Sequence, residues 1–225
     1  MAWFPDLWRS AVGKKAVMAV SGILLFGFVV LHLAGNLKLY LGAEAYNGYA
    51  RFLRTMGEPA VPPGLLLWTF RLLLLAAVVL HIWAAWQLTR IARAARPVPY
   101  AVASRIHTTY ASRTMRWGGV ILLLFVIYHL LHLTWGTLHP SFVPGDVYHN
   151  VVAGFQVWWV ALAYIVAQAA LGLHLYHGLW SLFQTLGWNH PRFNLWRNGF
   201  AHAFAWIVTA GNISLPVAVL SGLVR

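Results

Sequence analysis

Five apolar stretches, at roughly 16–40, 64–89, 117–138, 156–183 and 199–223, dominate this chain of 225 residues. Each is long enough to cross a hydrocarbon core of about 30 Å, which takes about 20 residues of helix. Lipid offers no partner for backbone N–H and C=O groups, so a lone spanning segment must be helical. No gap between stretches exceeds 27 residues. The sequence therefore predicts an all-α fold, a single domain over 1–225, built as an integral membrane bundle of five transmembrane helices joined by short loops.

Only 9% of the residues are charged and 60% are hydrophobic, whereas a soluble domain carries nearer a quarter charged residues. Positive charge is unevenly placed. Arg9, Lys14, Lys15, Arg90, Arg93, Arg96, Arg105, Arg113, Arg116, Arg192 and Arg197 fall on one side of an alternating five-span topology. Lys38, Arg51, Arg54 and Arg225 fall on the other, and Arg71 lies just inside the second span. Cytoplasmic loops accumulate Lys and Arg, which puts the N-terminus in the cytoplasm. Because the charges hug the apolar spans, the partner they imply is membrane lipid and not nucleic acid. The first run is too long for a signal-peptide h-region, and Gly35-Asn36-Leu37-Lys38 is not a small-residue cleavage site, so a retained helix is expected.

The chain has no Cys. Disulfides, thiolate zinc sites, iron–sulfur ligation and covalent c-type haem attachment are excluded. The four carboxylates, Asp6, Glu44, Glu58 and Asp146, lie outside the long apolar runs, which excludes paired-carboxylate hydrolysis and carboxylate-rich metal sites.

What stands out instead is His32 in span I, His81 in II, His129 and His132 in III, and His174 and His177 in IV. Ionisable groups inside a membrane face the bundle interior and find partners there. At 1.5 Å per residue, His32 and His129 lie about 22 and 18 Å from the inner ends of their spans. His81 and His174, entering from outside, reach about 24 and 25 Å inward. The four form an outer layer (His32, His129) and an inner layer (His81, His174), about 15 Å apart. An internal echo supports the outer pair: Ser21-Gly22 through His32 matches Gly118-Gly119 through His129, with Gly ten residues before His in both. Zinc would want three or four converging protein ligands. Two imidazoles per layer suit a haem, whose porphyrin supplies the other four nitrogens and which, with both axial positions filled, transfers electrons. His132 and His177 are expected to be structural. His202, at the start of span V, is expected to be structural or to contact a haem propionate, and His107, His139, His149 and His190 are expected to be solvated loop residues.

The run His174-Leu-Tyr-His177-Gly-Leu-Trp-Ser-Leu-Phe-Gln-Thr-Leu-Gly-Trp-Asn-His190-Pro, taken with Gly22…His32 and Gly119…His129, resembles the dihaem cytochrome b (b558-type) membrane-anchor subunit of succinate:quinone oxidoreductases. The resemblance implies two haem b groups, a proximal one on His81 and His174 and a distal one on His32 and His129. It implies a flavoprotein and an iron–sulfur subunit docked on the cytoplasmic face, and a quinone, by family tendency menaquinone, as the other redox partner. Such an anchor has no succinate chemistry of its own, sits in a bacterial cytoplasmic membrane and serves the respiratory chain and tricarboxylic acid cycle. Glu58 is the nearest match to the family's quinone-site glutamate. By charge and depth, Arg71 on the outer side and His107, Arg113 or Arg116 on the inner are offered to the propionates. Partner subunits would use segments 1–15, 90–116 and 184–198, with Trp188-Asn189-His190-Pro191 as a contact point; a higher oligomer stays open. Two other readings remain at this level: a dihaem anchor for a formate dehydrogenase or hydrogenase, and a haem-free transporter or structural bundle with a His proton relay.

Overall fold

A computed structural model describes residues 9–95 and 110–225. Among them every regular element is helical: α1 (Ala11–Asn36), a 3-10 turn (Leu37–Leu41), α2 (Ala43–Thr55), α3 (Leu65–Ala94), α4 (Tyr110–His129), a π-helical turn (Leu130–Thr134), α5 (Val147–Gln156), α6 (Trp158–Thr185) and α7 (Pro191–Leu220). Five segments are long and apolar enough to span a bilayer: Ala11–Leu41, Leu65–Ala94, Tyr110–Thr134, Trp158–Thr185 and Pro191–Leu220.

These helices run past the apolar stretches where long basic side chains flank them. The third begins at Tyr110 rather than 117 and the fifth at Pro191 rather than 199. Arg113, Arg116 and Arg192 keep their charges in water while their stems continue the apolar surface. Pro191 opens α7 at the one helical position where a missing N–H is harmless, and the His190 ring accepts from Arg192 N at 3.2 Å. The third span ends at Thr134, four residues before the apolar run does, because Gly136 turns the chain with φ +75°.

The connections from α1 to α3 and from the π turn to α6 are not plain loops. α2 and α5 lie there and pack against each other. Asp146 caps α5, accepting from His149 N at 3.0 Å and from Asn47 of α2 at 2.9 Å, while Asn47 Oδ1 accepts from Tyr148 N at 3.0 Å. These bonds hold the Asp146 carboxyl below its ordinary range, the His149 N–H contributing most.

Small side chains let the spans approach: Ala84, Ala161 and Ala201 are fully enclosed. Large apolar groups such as Leu72, Leu124 and Trp206 point outward, as lipid allows. α1 packs on α3 and α7, and α6 packs on α4 and α7. Among the described residues, neither α1 with α4 nor α3 with α6 is a closely packed pair.

Candidate functional site

Those two loosely associated pairs are the ones that carry the histidines. His32 of α1 and His129 of α4 face each other with ring centres 5.8 Å apart. His81 of α3 and His174 of α6 do so at 6.2 Å. A metal–imidazole bond of about 2 Å on each side, plus roughly 1 Å from nitrogen to ring centre, separates two trans imidazoles by about 6 Å. Both spacings fit one metal between each pair. Among the described residues no three His, Asp or Glu side chains converge on one point, so each pair offers two protein ligands, the number a porphyrin leaves open.

The glycines of the internal echo lie at the inner level. A Cβ on Gly22 would sit 3.5 Å from His81 Cε1, and one on Gly119 would sit 4.0 Å from His174 Cε1. α1 and α4 thus each present an imidazole to the outer pair and, ten residues or about 15 Å away, a bare backbone to the inner pair. Between α4 and α6 a cleft of about 250 Å³ reaches His174, with Ala111, Thr114, Gly118 and Leu173 in its walls. A flat macrocycle needs this kind of space.

Behind three of the four facing rings, Nδ1 is engaged. Ser21 Oγ donates to Val17 O at 2.7 Å, so its oxygen is free to accept from His81 Nδ1 at 3.2 Å. His32 Nδ1 lies 2.9 Å from Asn36 Nδ2, and Asn36 Oδ1 accepts from the Tyr46 hydroxyl at 3.0 Å. Burial pushes the Tyr46 hydroxyl up to about 12, so it stays a donor at neutral pH. His129 Nδ1 meets the Tyr164 hydroxyl at 3.3 Å, and His132 Nδ1 meets the same oxygen at 3.1 Å. His174 Nδ1 is buried without a partner. Ser21, Asn36, Tyr46 and Tyr164 were not singled out from the sequence. Ser21 and Asn36 had a legible signal, as polar residues at the edges of an otherwise apolar run that also carries a His.

The remaining histidines divide. His132 is wholly buried, stacked between Tyr128 and His139. His177 bonds Ser181 at 3.2 Å. His202 lies well inside α7 and not at its start, exposed and stacked on Tyr176 at 4.0 Å. His139 is buried, against expectation: Nε2 donates to Asn150 O at 2.8 Å and Nδ1 accepts from Ser141 N at 3.1 Å. The segment before α5 folds down onto the π turn, which is why this loop His is shielded. His149 belongs to α5 and bonds Ser141 O at 3.1 Å, and His190 is the cap of α7. His107 lies outside the described residues. Glu58 is exposed in the turn between α2 and α3, Arg71 is exposed with its guanidinium 4.9 Å over Trp68, and Arg113 and Arg116 are exposed on α4. Arg197 is only 2% exposed. It donates to Trp188 O at 2.8 Å, to Asn189 Oδ1 at 3.1 Å and to Asn194 Oδ1, so it ties the Trp188-Asn189-His190-Pro191 turn to α7.

No curated protein and no solved structure matches the chain. A comparison with protein families matches residues 89–213 to one described as the succinate dehydrogenase/fumarate reductase transmembrane subunit. That stretch contains His129, His132, His174 and His177 but not His32 or His81. It covers more than half of a chain with five helices long and apolar enough to span a bilayer, and this protein accordingly belongs to the succinate dehydrogenase/fumarate reductase transmembrane subunit family.

Proposed function

We propose that this membrane anchor holds two haem b groups and carries electrons between an iron–sulfur subunit on its cytoplasmic side and a membrane quinone, menaquinone by family tendency. The observation that carries the reading is the pair of His–His spacings, 5.8 and 6.2 Å, on helices that do not otherwise pack closely. A haem with two imidazole ligands supplies reversible one-electron transfer with no position open to oxygen. His32 and His129 would hold the outer group, His81 and His174 the inner.

The chain's own residues prepare those rings. Ligation through Nε2 requires the proton on Nδ1, and a ligating His usually donates that N–H to a partner. Ser21 is already set to accept from His81. For His32, ligation calls for the Asn36 amide turned over, with Oδ1 accepting from His32 Nδ1–H and Nδ2 donating to the Tyr46 oxygen. Gly22 and Gly119 keep the inner level clear of side chains. Arg71 on the outer side and Arg113 and Arg116 on the inner are the cations offered to propionates. Glu58, at the outer end ahead of α3, is the acid offered to a quinone. The inner turns, with Trp188 held by Arg197, form the face for the flavoprotein–iron–sulfur pair, and a bacterial cytoplasmic membrane is the setting.

The test is a pyridine haemochrome assay on the purified complex, with about two haems b per anchor expected from two axial pairs. His81→Ala should remove the inner haem and leave the outer one. A folded complex with no haem would overturn the reading.

A further inference from the structure

We propose that Tyr164 is the positioning residue of the outer imidazole pair: its hydroxyl holds the Nδ1 edge of His129 and, with His132 as terminal acceptor, fixes the tautomer that leaves His129 Nε2 open to iron. This rests on the reading of His32 and His129 as axial ligands.

A phenol hydroxyl has one hydrogen and two lone pairs. Tyr164 shares them between His129 Nδ1 at 3.3 Å and His132 Nδ1 at 3.1 Å. Its single hydrogen can serve only one of the two. In one polarity His129 Nδ1–H donates to Tyr164 and Tyr164 donates to His132 Nδ1. The proton of His129 is then on Nδ1, and Nε2 carries the lone pair a metal needs. In the reverse polarity His132 Nδ1–H donates to Tyr164 and Tyr164 donates to His129 Nδ1, which moves the proton of His129 onto Nε2 and blocks it.

The geometry leaves little freedom to escape this choice. The Tyr164 ring is held edge-on by Phe125 and Phe155, each with ring centres 4.9 Å away. His132 is stacked 5.4 Å from Tyr128 and 4.8 Å from His139. Gly154 makes room for it, since a Cβ there would fall 2.8 Å from His132 Cε1. His129 and His132, three residues apart, reach the same hydroxyl from one face of their helix, and a π turn at Leu130–Thr134, a feature that recurs at functional sites, contains His132. The inner pair has no such device on α6, where His174 Nδ1 is buried and unpartnered. Tyr164 should therefore act on one haem only.

The test is an optical redox titration of the purified complex in wild type, Tyr164→Phe and His132→Leu, with the outer haem identified as the one that His81→Ala retains. An N–H donated to an oxygen makes the imidazole a stronger donor to ferric iron. Tyr164→Phe should raise the midpoint potential of the outer haem, or lower its occupancy, with the inner haem unmoved. A tenfold loss of preference for the oxidised iron is about 59 mV for a one-electron couple. His132→Leu removes the terminal acceptor, frees the hydroxyl to turn toward His129, and should disturb the same haem. Unmoved potentials in both variants, an effect on the inner haem, or loss of both haems together would overturn the inference. A wild-type complex without haem would instead sink the ligation reading on which it stands.

Discussion

Gly172 sits two residues before His174 at the crossing of α6 and α7, and its missing side chain is filled by Thr209. A methyl group at Gly172 would lie 2.2 Å from Thr209 Oγ1, 3.3 Å from its Cβ and 3.4 Å from its Cγ2. Favourable heavy-atom contacts begin near about 3.5 Å. Thr is β-branched and stiff at χ1, and Thr209 is buried, so it has little room to retreat. Gly172→Ala must therefore push α6 and α7 apart, an overpacking expected to cost about 1–3 kcal/mol. Thr209→Ala takes away the first and third contacts and leaves only the one at 3.3 Å. It also removes a buried hydroxyl with no hydrogen-bond partner, so alone it should stay within about 1 kcal/mol of wild type. The double variant should regain most of what Gly172→Ala loses. A double-mutant cycle of unfolding in detergent measures this, with a coupling of about 1–2 kcal/mol between the two sites. If Gly172→Ala unfolds like wild type, or if Thr209→Ala fails to restore it, the packing account of this crossing is wrong.

Asp146→Ala removes the cap of α5 and its bond to Asn47, and should cost about 1 kcal/mol, read as faster hydrogen exchange in α5. The carboxyl is held below its usual value of 3.8 in the fold, so its contribution is present above that pH and is lost as pH falls through the lower folded value. Acidification from pH 7 to 5 should leave the protection factors of α5 unchanged, while those factors, corrected for the slower intrinsic exchange in acid, should fall below about pH 4 in wild type and show no such step in Asp146→Asn. Arg197→Lys keeps the charge but not the fork that reaches Trp188, Asn189 and Asn194. It should loosen the turn at 187–190, seen as faster protease cleavage there and a lower yield of assembled complex; unchanged cleavage would refute the role given to Arg197.

Much of the scaffold was legible because membrane spans are written in long apolar runs and a helix has a fixed rise. Counting residues from the span ends puts His32 level with His129 and His81 level with His174, and in the fold those rings lie together. The second layer was harder to read. Tyr164 looks like one more aromatic in a Trp- and Tyr-rich membrane protein, and its place against both His129 and His132 becomes visible only when α6 packs on α4. α2 was missed because it is polar and α5 because it is short, and both are held by the Asn47–Asp146 bonds between residues almost a hundred positions apart. His139 reads as a loop residue until the fold places Asn150 over it. Local pattern reports span and depth; it does not report which hydroxyl lies behind which imidazole.

One rigid rod, α6, carries both the phenol behind the outer couple and, ten residues on, an imidazole of the inner one. A slide of that rod by a single residue would shift both by about 1.5 Å in the same direction. The two depths are therefore in step mechanically, and a pull on the C-terminal end of this helix is felt near its other end without any loop having to move.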